Sequence, residues 1–446
     1  MKFPSFANFS FKDSRLYIGS AASAGARITT VASMVVIMAI ASRVMTKEEF
    51  GLWAILVTFI YLSWILDFGF RYGMGNRLAA WVASAGGKTT TEQRELYLSI
   101  FYFQCLIGIV LSLIYLAVAP FLPWIEIFKI HQAELVSTVP LLMNVVCISL
   151  FLNIPFMLMG TGFFAFQEIN LVCAISAAQS VLLLILFGIA SLILTFKEVI
   201  ICYFVAYLLT NVAGTVWFMI KRGWPLVWIS WPQQWQHIRS LANRSLEFFV
   251  LSLSATAVAA IGTFLAGAVA GLSKAGDFNL VQRIFGFVIT LHLALLAPLA
   301  PAFTQAAQLG QWESVRGKFS FCQYRIWPLL FSGGCGLIYL LHPVILKIWS
   351  GRPLSDFTLA GIMALTAILG GWGNTQSVLL NSLGLVKWQA IISVMMAPLF
   401  IFLPLYMGKT WGIIGIAAGT LLCMIPGTIF WSVYARYALR RKLLRV

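Results

Sequence analysis

Apolar runs of about 20 residues recur from one end of this 446-residue chain to the other. A helix rises 1.5 Å per residue, so each run is long enough to cross the ~30 Å hydrocarbon core of a bilayer. Lipid offers no water to the backbone, so a spanning segment must satisfy its own N–H and C=O groups, which makes each run a helix. Membrane β-strands run about ten residues and alternate in polarity. These runs are longer and do not alternate, which excludes a β-barrel. The expected spans are 20–42, 50–70, 96–119, 138–160, 169–195, 199–220, 247–271, 279–302, 325–348, 356–383, 388–408 and 411–434. A cleaved signal peptide does not account for the first run, because many others follow it.

Composition agrees. The chain is 61% hydrophobic, 10% charged, and has a mean hydropathy of +0.91. A soluble chain of this length needs more polar surface to cover its core. The net charge of +16 does not call for nucleic acid, because membrane proteins collect Lys and Arg in cytoplasmic loops. Twenty basic residues fall on one side of the twelve-span arrangement, among them Arg71, Arg77, Lys221, Arg222 and the tail from Arg436. Eight fall on the other, which puts both termini in the cytoplasm. The remaining two, Arg27 and Arg283, fall within spans. The seven cysteines form no CxxC and suggest neither a disulfide framework nor a metal site.

No loop on the outer side is long enough to fold as a domain. The longest inner one divides the spans six and six, giving domains 1–222 and 247–446 with a linker, 223–246. That linker reads "WPLVWISWPQQWQHIRSL", which suits an interfacial amphipathic segment. The halves echo each other. "TKEEFGLW" (46–53) leads into span two and "SKAGDFNLV" (273–281) into span eight, each with a hydroxyl and an acid where N-caps belong. Their matching places point to a duplicated six-helix unit, an arrangement common in secondary transporters.

Particular stretches carry a family likeness. "SRVMTKEEFGLWAIL" with "ILDFGFRYGMGNRLA", then "GTGFFAFQEIN" (160–170) and "LAPLAPAFTQAAQLGQWESV" (296–315), resemble polysaccharide exporters of the Wzx (O-antigen flippase) type. The resemblance implies the MATE-like fold of the multidrug/oligosaccharidyl-lipid/polysaccharide (MOP) exporters: two six-helix bundles around a cavity open alternately to each side. It also implies a polyprenyl-diphosphate-linked oligosaccharide moved across the bacterial inner membrane for O-antigen, capsule or exopolysaccharide synthesis.

Such a lipid can keep its tail in the bilayer, but its anionic diphosphate and glycan need cations and hydrogen-bonding groups. Charges inside a membrane are costly and therefore functional candidates. Arg27 either snorkels to the interface or binds diphosphate. Asp67, read as one turn from the end of helix two, forms a structural ion pair with Arg27 or Arg71, a gate opened by substrate, or a proton-coupling site. Arg71 and Arg77 also read as plain cytoplasmic anchors. Arg283 either snorkels, pairs with Asp277, or lines the exit. Helix ten carries "GGWGNTQSVLLNSLG", in which Asn374 and Gln376 are candidate cavity-lining groups and Trp372 a candidate platform for a sugar face. Asn144, Asn153, Gln179 and Asn211 read mainly as interhelical hydrogen-bonding groups, Gln167 and Glu168 as a turn and cap, and Glu247 as a helix-start cap.

Nothing resembles catalysis: the four histidines are scattered, and GxSxG and P-loop motifs are absent. No cofactor is expected, with a proton or sodium gradient left open as the driving force. The expected partners are the lipid-linked glycan and the bilayer, with polymerase and chain-length proteins left open, and no nucleic acid. Three rival readings make different demands. A MATE-type drug/cation antiporter should put carboxylates in its cavity. A membrane polymerase or ligase should carry a large outer loop. A lipid II flippase should have two further helices.

Overall fold

The computed structural model describes residues 14–443 apart from 64, 86–87, 297–298, 353 and 386. All regular structure among them is helical. The helices are α1 (Ser14–Val44), α2 (Lys47–Ser63), α3 (Phe70–Ser84), α4 (Thr91–Val118), α5 (Trp124–Ile127), α6 (Ala133–Asn153), α7 (Leu158–Ala165), α8 (Ile169–Ile193), α9 (Phe196–Arg222), α10 (Trp231–Ala270), α11 (Leu272–Leu296), α12 (Leu299–Gln308), α13 (Trp312–Phe321), α14 (Gly333–Ser350), α15 (Phe357–Ser382), α16 (Lys387–Met396) and α17 (Leu399–Leu443). A π-helical stretch, Cys322–Ser332, joins α13 to α14. Seven helical stretches among the described residues are long and apolar enough to cross a membrane, so the chain is a multi-pass membrane protein.

Several boundaries depart from the periodicity. The 55-residue stretch Lys387–Arg441 is far too long for one pass. It folds back at Trp411 and Gly412, whose backbone leaves the helical region. A Cβ on Gly415 would lie 2.1 Å from the Met407 carbonyl oxygen, and one on Gly419 2.6 Å from Pro404 Cα. The two legs are therefore an antiparallel hairpin, as the expected spans 388–408 and 411–434 require. Helix α2 stops at Ser63, short of the expected 70, and the Gly/Arg-rich stretch read as a turn is helical from Phe70 onward. The segment 223–246 is not a separate linker element. Gly223 ends α9 at φ +62, an irregular stretch follows, and α10 then runs from Trp231 to Ala270. Its first turns stack Trp231 on Trp235, both exposed, as an interfacial segment does. With α10 continuous through Glu247, no helix start exists there to cap; the Glu247 side chain lies outside the described residues.

Contacts divide the chain into two compact units, neither of them a continuous half. The first comprises Met1–Met38, Phe70–Val110 and Leu152–Ala242. Its core gathers Met74, Leu78, Tyr97, Phe163 and Phe218, and Gly162 lets the Phe218 ring approach where a Cβ would stand 2.4 Å away.

The second comprises Ala39–Gly69, Leu111–Phe151 and Asn243–Val446, so α2 packs with the helices that follow Asn243. Within it the two echoing stretches meet. A Cβ on Gly51 would lie 1.8 Å from the Leu272 carbonyl oxygen, and one on Gly276 2.8 Å from the Phe50 ring. Thr46 and Glu49 form the expected capping box: the Thr46 N–H donates to Glu49 Oε2 (2.8 Å) and the Glu49 N–H to Thr46 Oγ1 (3.3 Å). The second stretch does not cap. Helix α11 begins one residue after Gly271 (φ +83), so Ser273 lies inside the first turn, and Asp277 pairs with Lys274 at 3.8 Å.

Candidate functional site

Asp67 is not helical. It sits in the turn between α2 and α3, 2% exposed, and its Oδ1 accepts the Gly69 N–H at 2.9 Å. Phe68 and Gly69 both have positive φ, +50 and +75. A Cβ on Gly69 would lie 2.0 Å from the Ser245 carbonyl oxygen of α10, so glycine is required twice over, for its φ and for the close approach. The carboxylate thus holds the turn between α2 and α3 by bonding the backbone two residues on, as an Asx turn does. Arg71 lies on α3, half-buried, its guanidinium 5.5 Å from the Tyr72 ring centroid. Arg27 lies on α1, but its side chain, and with it any Asp67–Arg27 pair, lies outside the described residues.

Arg283 is half-buried on α11 and donates to the Tyr61 hydroxyl of α2 at 3.0 Å. Its charge centre stands 5.5 Å from the Tyr61 ring centroid. Beside it a polar ladder joins α10 and α11: Asn279 donates to Thr263 Oγ1 (3.0 Å), whose hydroxyl donates to Gln282 Oε1 (3.2 Å). Asn279, Gln282 and Arg283 sit at i, i+3 and i+4, one polar stripe on an apolar helix. That stripe, with Tyr61 and Thr263, is the part of the site that sequence reasoning missed. Its signal was the spacing within "FNLVQRIFGF".

The α15 candidates divide between faces. Trp372 donates its indole N–H to Ser432 Oγ of α17 at 2.7 Å and meets Trp327 edge-on, centroids 4.7 Å apart. Gln376 is buried, and its Oε1 has no hydrogen-bond partner among the described residues. Asn374, two residues from Trp372, is half-buried on the opposite face. Gln179 makes the interhelical bond expected of it, to Thr210 Oγ1 at 2.6 Å.

Gln167 turns the chain at φ +60, as expected, but Glu168 does not cap α8. It pairs instead with Arg222 and, at 3.1 Å, with Lys221 at the end of α9. Arg222 also lies 3.8 Å over the Phe166 ring. The "GTGFFAFQEIN" stretch is therefore pinned to the last turn of α9.

The model of one family, polysaccharide biosynthesis protein, matches residues 19–307. The chain belongs to that family. Three solved structures share the fold of this family member, which is that of MATE transporters. An inward-facing multidrug resistance MATE transporter superposes with TM-score 0.69 at 13% identity, covering 93% of this chain and 95% of its own. The lipid II flippase MurJ, in an inward closed conformation, gives 0.66 at 13%, covering 94% and 87%. A MOP transporter from Pyrococcus furiosus, described as having a binding pocket of reverse polarity, gives 0.60 at 12%, covering 96% and 95%. No curated protein matches the chain.

In this family member the Arg283 guanidinium is oriented by the Tyr61 phenol and ring. A guanidinium is the side chain suited to bidentate contact with phosphate oxygens. In the Asn279–Thr263–Gln282 ladder Asn279 and Thr263 are buried and bonded within it, so it braces α10 against α11 beside Arg283.

Proposed function

We propose that the chain is a flippase, not an enzyme, which moves polyprenyl-diphosphate-linked oligosaccharide repeat units across the bacterial inner membrane for surface polysaccharide synthesis. One conjunction carries the reading: a polysaccharide biosynthesis family member has the fold of transporters, among them one that flips a lipid. The same fold occurs in inward- and outward-facing conformations in MATE transporters, which supports alternating access as the mechanism. Arg283, a half-buried cation on α11, suits a diphosphate. The test is complementation of a strain lacking its own repeat-unit flippase, with lipid-linked repeat units counted in each leaflet. Restored surface glycan supports the reading. Continued accumulation of repeat units in the inner leaflet, with the protein present in the membrane, refutes it.

A second reading, a MATE-type drug/cation antiporter, draws on the buried Asp67 carboxylate. It predicts cation-coupled dye efflux by the purified protein in vesicles, and no change in glycan.

A further inference from the structure

A groove of about 680 Å³ runs along the second unit between the π-helical stretch, α15 and α17. Its volume is that of a small-molecule site. Its wall is apolar by construction. The Trp327 indole N–H is spent on the Ile368 carbonyl oxygen (3.0 Å) and that of Trp372 on Ser432 (2.7 Å). Ser432 in turn bonds the Thr428 carbonyl of its own helix (2.8 Å). Two fixed ring systems thus face a lane that Ile425 and Ile429, 37% and 59% exposed, leave open on α17. The π-helical turn, with Pro328 inside it, carries Trp327 into that lane.

One end carries a charge. Arg436 lines the groove, and its guanidinium makes a long contact (3.4 Å) to the Tyr324 hydroxyl. The Lys/Arg count assigns this end to the cytoplasmic face. From Leu421 to Arg436 the lane follows α17 for about 22 Å, most of the ~30 Å hydrocarbon core. One apolar lane with one cation at its end matches a lipid of a single chain with phosphate directly attached. A phospholipid has two chains, and a glycerol ester linkage between them and its phosphate.

We propose that this groove holds the polyisoprenoid chain of an isoprenoid phosphate lipid, with Arg436 on the phosphate. The inference deepens the flippase reading and rests on it. A cargo whose head crosses the membrane must keep its tail in lipid, and the groove gives the tail a track on the protein surface.

The full-length protein in nanodiscs is photolabelled with a polyprenyl monophosphate bearing a terminal diazirine, and the adducts are mapped by mass spectrometry. Adducts are expected within 365–372 and 421–436. Unlabelled polyprenyl phosphate should compete about tenfold better than phosphatidylglycerol. I425W with I429W, at exposed positions that leave the core intact, should cut labelling about tenfold. R436Q should weaken competition by polyprenyl phosphate about tenfold and leave competition by unphosphorylated polyprenol unchanged. Equal competition by phosphatidylglycerol makes the groove an annular lipid site and overturns the proposal. So do adducts confined to other helices, or wild-type labelling of the filled groove. If the filled groove exports glycan normally and labelling lies elsewhere, the groove falls and the flippase reading stands. If the wild type fails to restore glycan yet labels in the groove with the expected competition, the groove stands and the flippase reading falls.

Discussion

The crossing of α2 and α11 makes a sharp test of the packing, because Gly51 within it and Gly286, on an open part of α11, should respond to alanine with opposite sign. Gly51 lies in α2, and a Cβ there would stand 1.8 Å from the Leu272 carbonyl oxygen and 2.4 Å from its carbon. Both atoms are backbone and cannot rotate aside, so the helices must separate by well over an ångström. Overpacking costs about 1–3 kcal/mol, and this case belongs at the top of that range. Alanine returns ~1 kcal/mol of helix propensity over glycine, leaving a net loss of about 2 kcal/mol, roughly 30-fold in the folding equilibrium. Gly286 lies in α11 with nothing within 4 Å of the position a Cβ would take. There only the propensity gain applies, so G286A should stabilise by about 0.5–1 kcal/mol. Reversible unfolding in mixed micelles, followed by tryptophan fluorescence with increasing SDS, reads both variants against the wild type. If G51A is neutral or stabilising like G286A, the close crossing and the meeting of the two echoing stretches are wrong.

Asn at position 67 keeps an Oδ1 acceptor for the Gly69 N–H, so D67N should retain wild-type stability while D67A loses about 1–3 kcal/mol, read in the same unfolding assay. Lost surface glycan in D67N at normal protein level would show that the charge, and not only the turn, is used. R283Q should lower surface glycan at unchanged protein level and Y61F should lower it less, measured by glycan display in the complemented strain; full display by R283Q would take the guanidinium out of substrate handling. E168Q releases the partly exposed Lys221 and Arg222, and should shift the unfolding midpoint by no more than about 1 kcal/mol. At the start of α9, the Thr195 backbone N–H and then its hydroxyl hold the Glu198 carboxyl below its ordinary range. That contribution is full above the ordinary carboxylate range and is lost as pH falls through the lowered value, so the wild-type minus E198Q difference should shrink as pH falls below that range.

Membrane class and fold were legible because lipid enforces helices and apolar runs reveal their own length. Helix ends were not, since hydropathy does not register where backbone bonding stops. The run 50–70 reads as one span, yet Asp67 and Gly69 break it at a turn whose carboxylate bonds the backbone. The reverse held at Trp231, where a polar, tryptophan-rich stretch reads as a linker but its period continues into α10. The capping box at Thr46 was visible because it is local. Ser273 and Asp277 had the same residue types, but Gly271 had already set where α11 begins. Among site residues, Arg283 stood out as a charge in an apolar run. Its partner Tyr61 lies 222 positions away, and no local signal joins the two.

A chain with 30 basic and 14 acidic residues cannot neutralise its cations with its own carboxylates. Carboxylate partners are described for Lys221, Arg222, Lys274 and Arg316. Several other described cations contact groups without formal charge, though the Asp277 carboxylate also acts on Arg352. Arg43 donates to the Ile348 carbonyl, Arg352 to those of Ser42 and Met45, and Lys129 to that of Val269. Arg352 also lies 4.6 Å over the Phe50 ring, and Arg283 and Arg436 contact tyrosine hydroxyls. Carbonyls, hydroxyls and rings orient a cation while leaving its monopole intact, whereas a carboxylate cancels it and must be displaced before an anion can bind. On the proposed flippase reading, cations oriented in this way suit an anionic head group better than an organic cation.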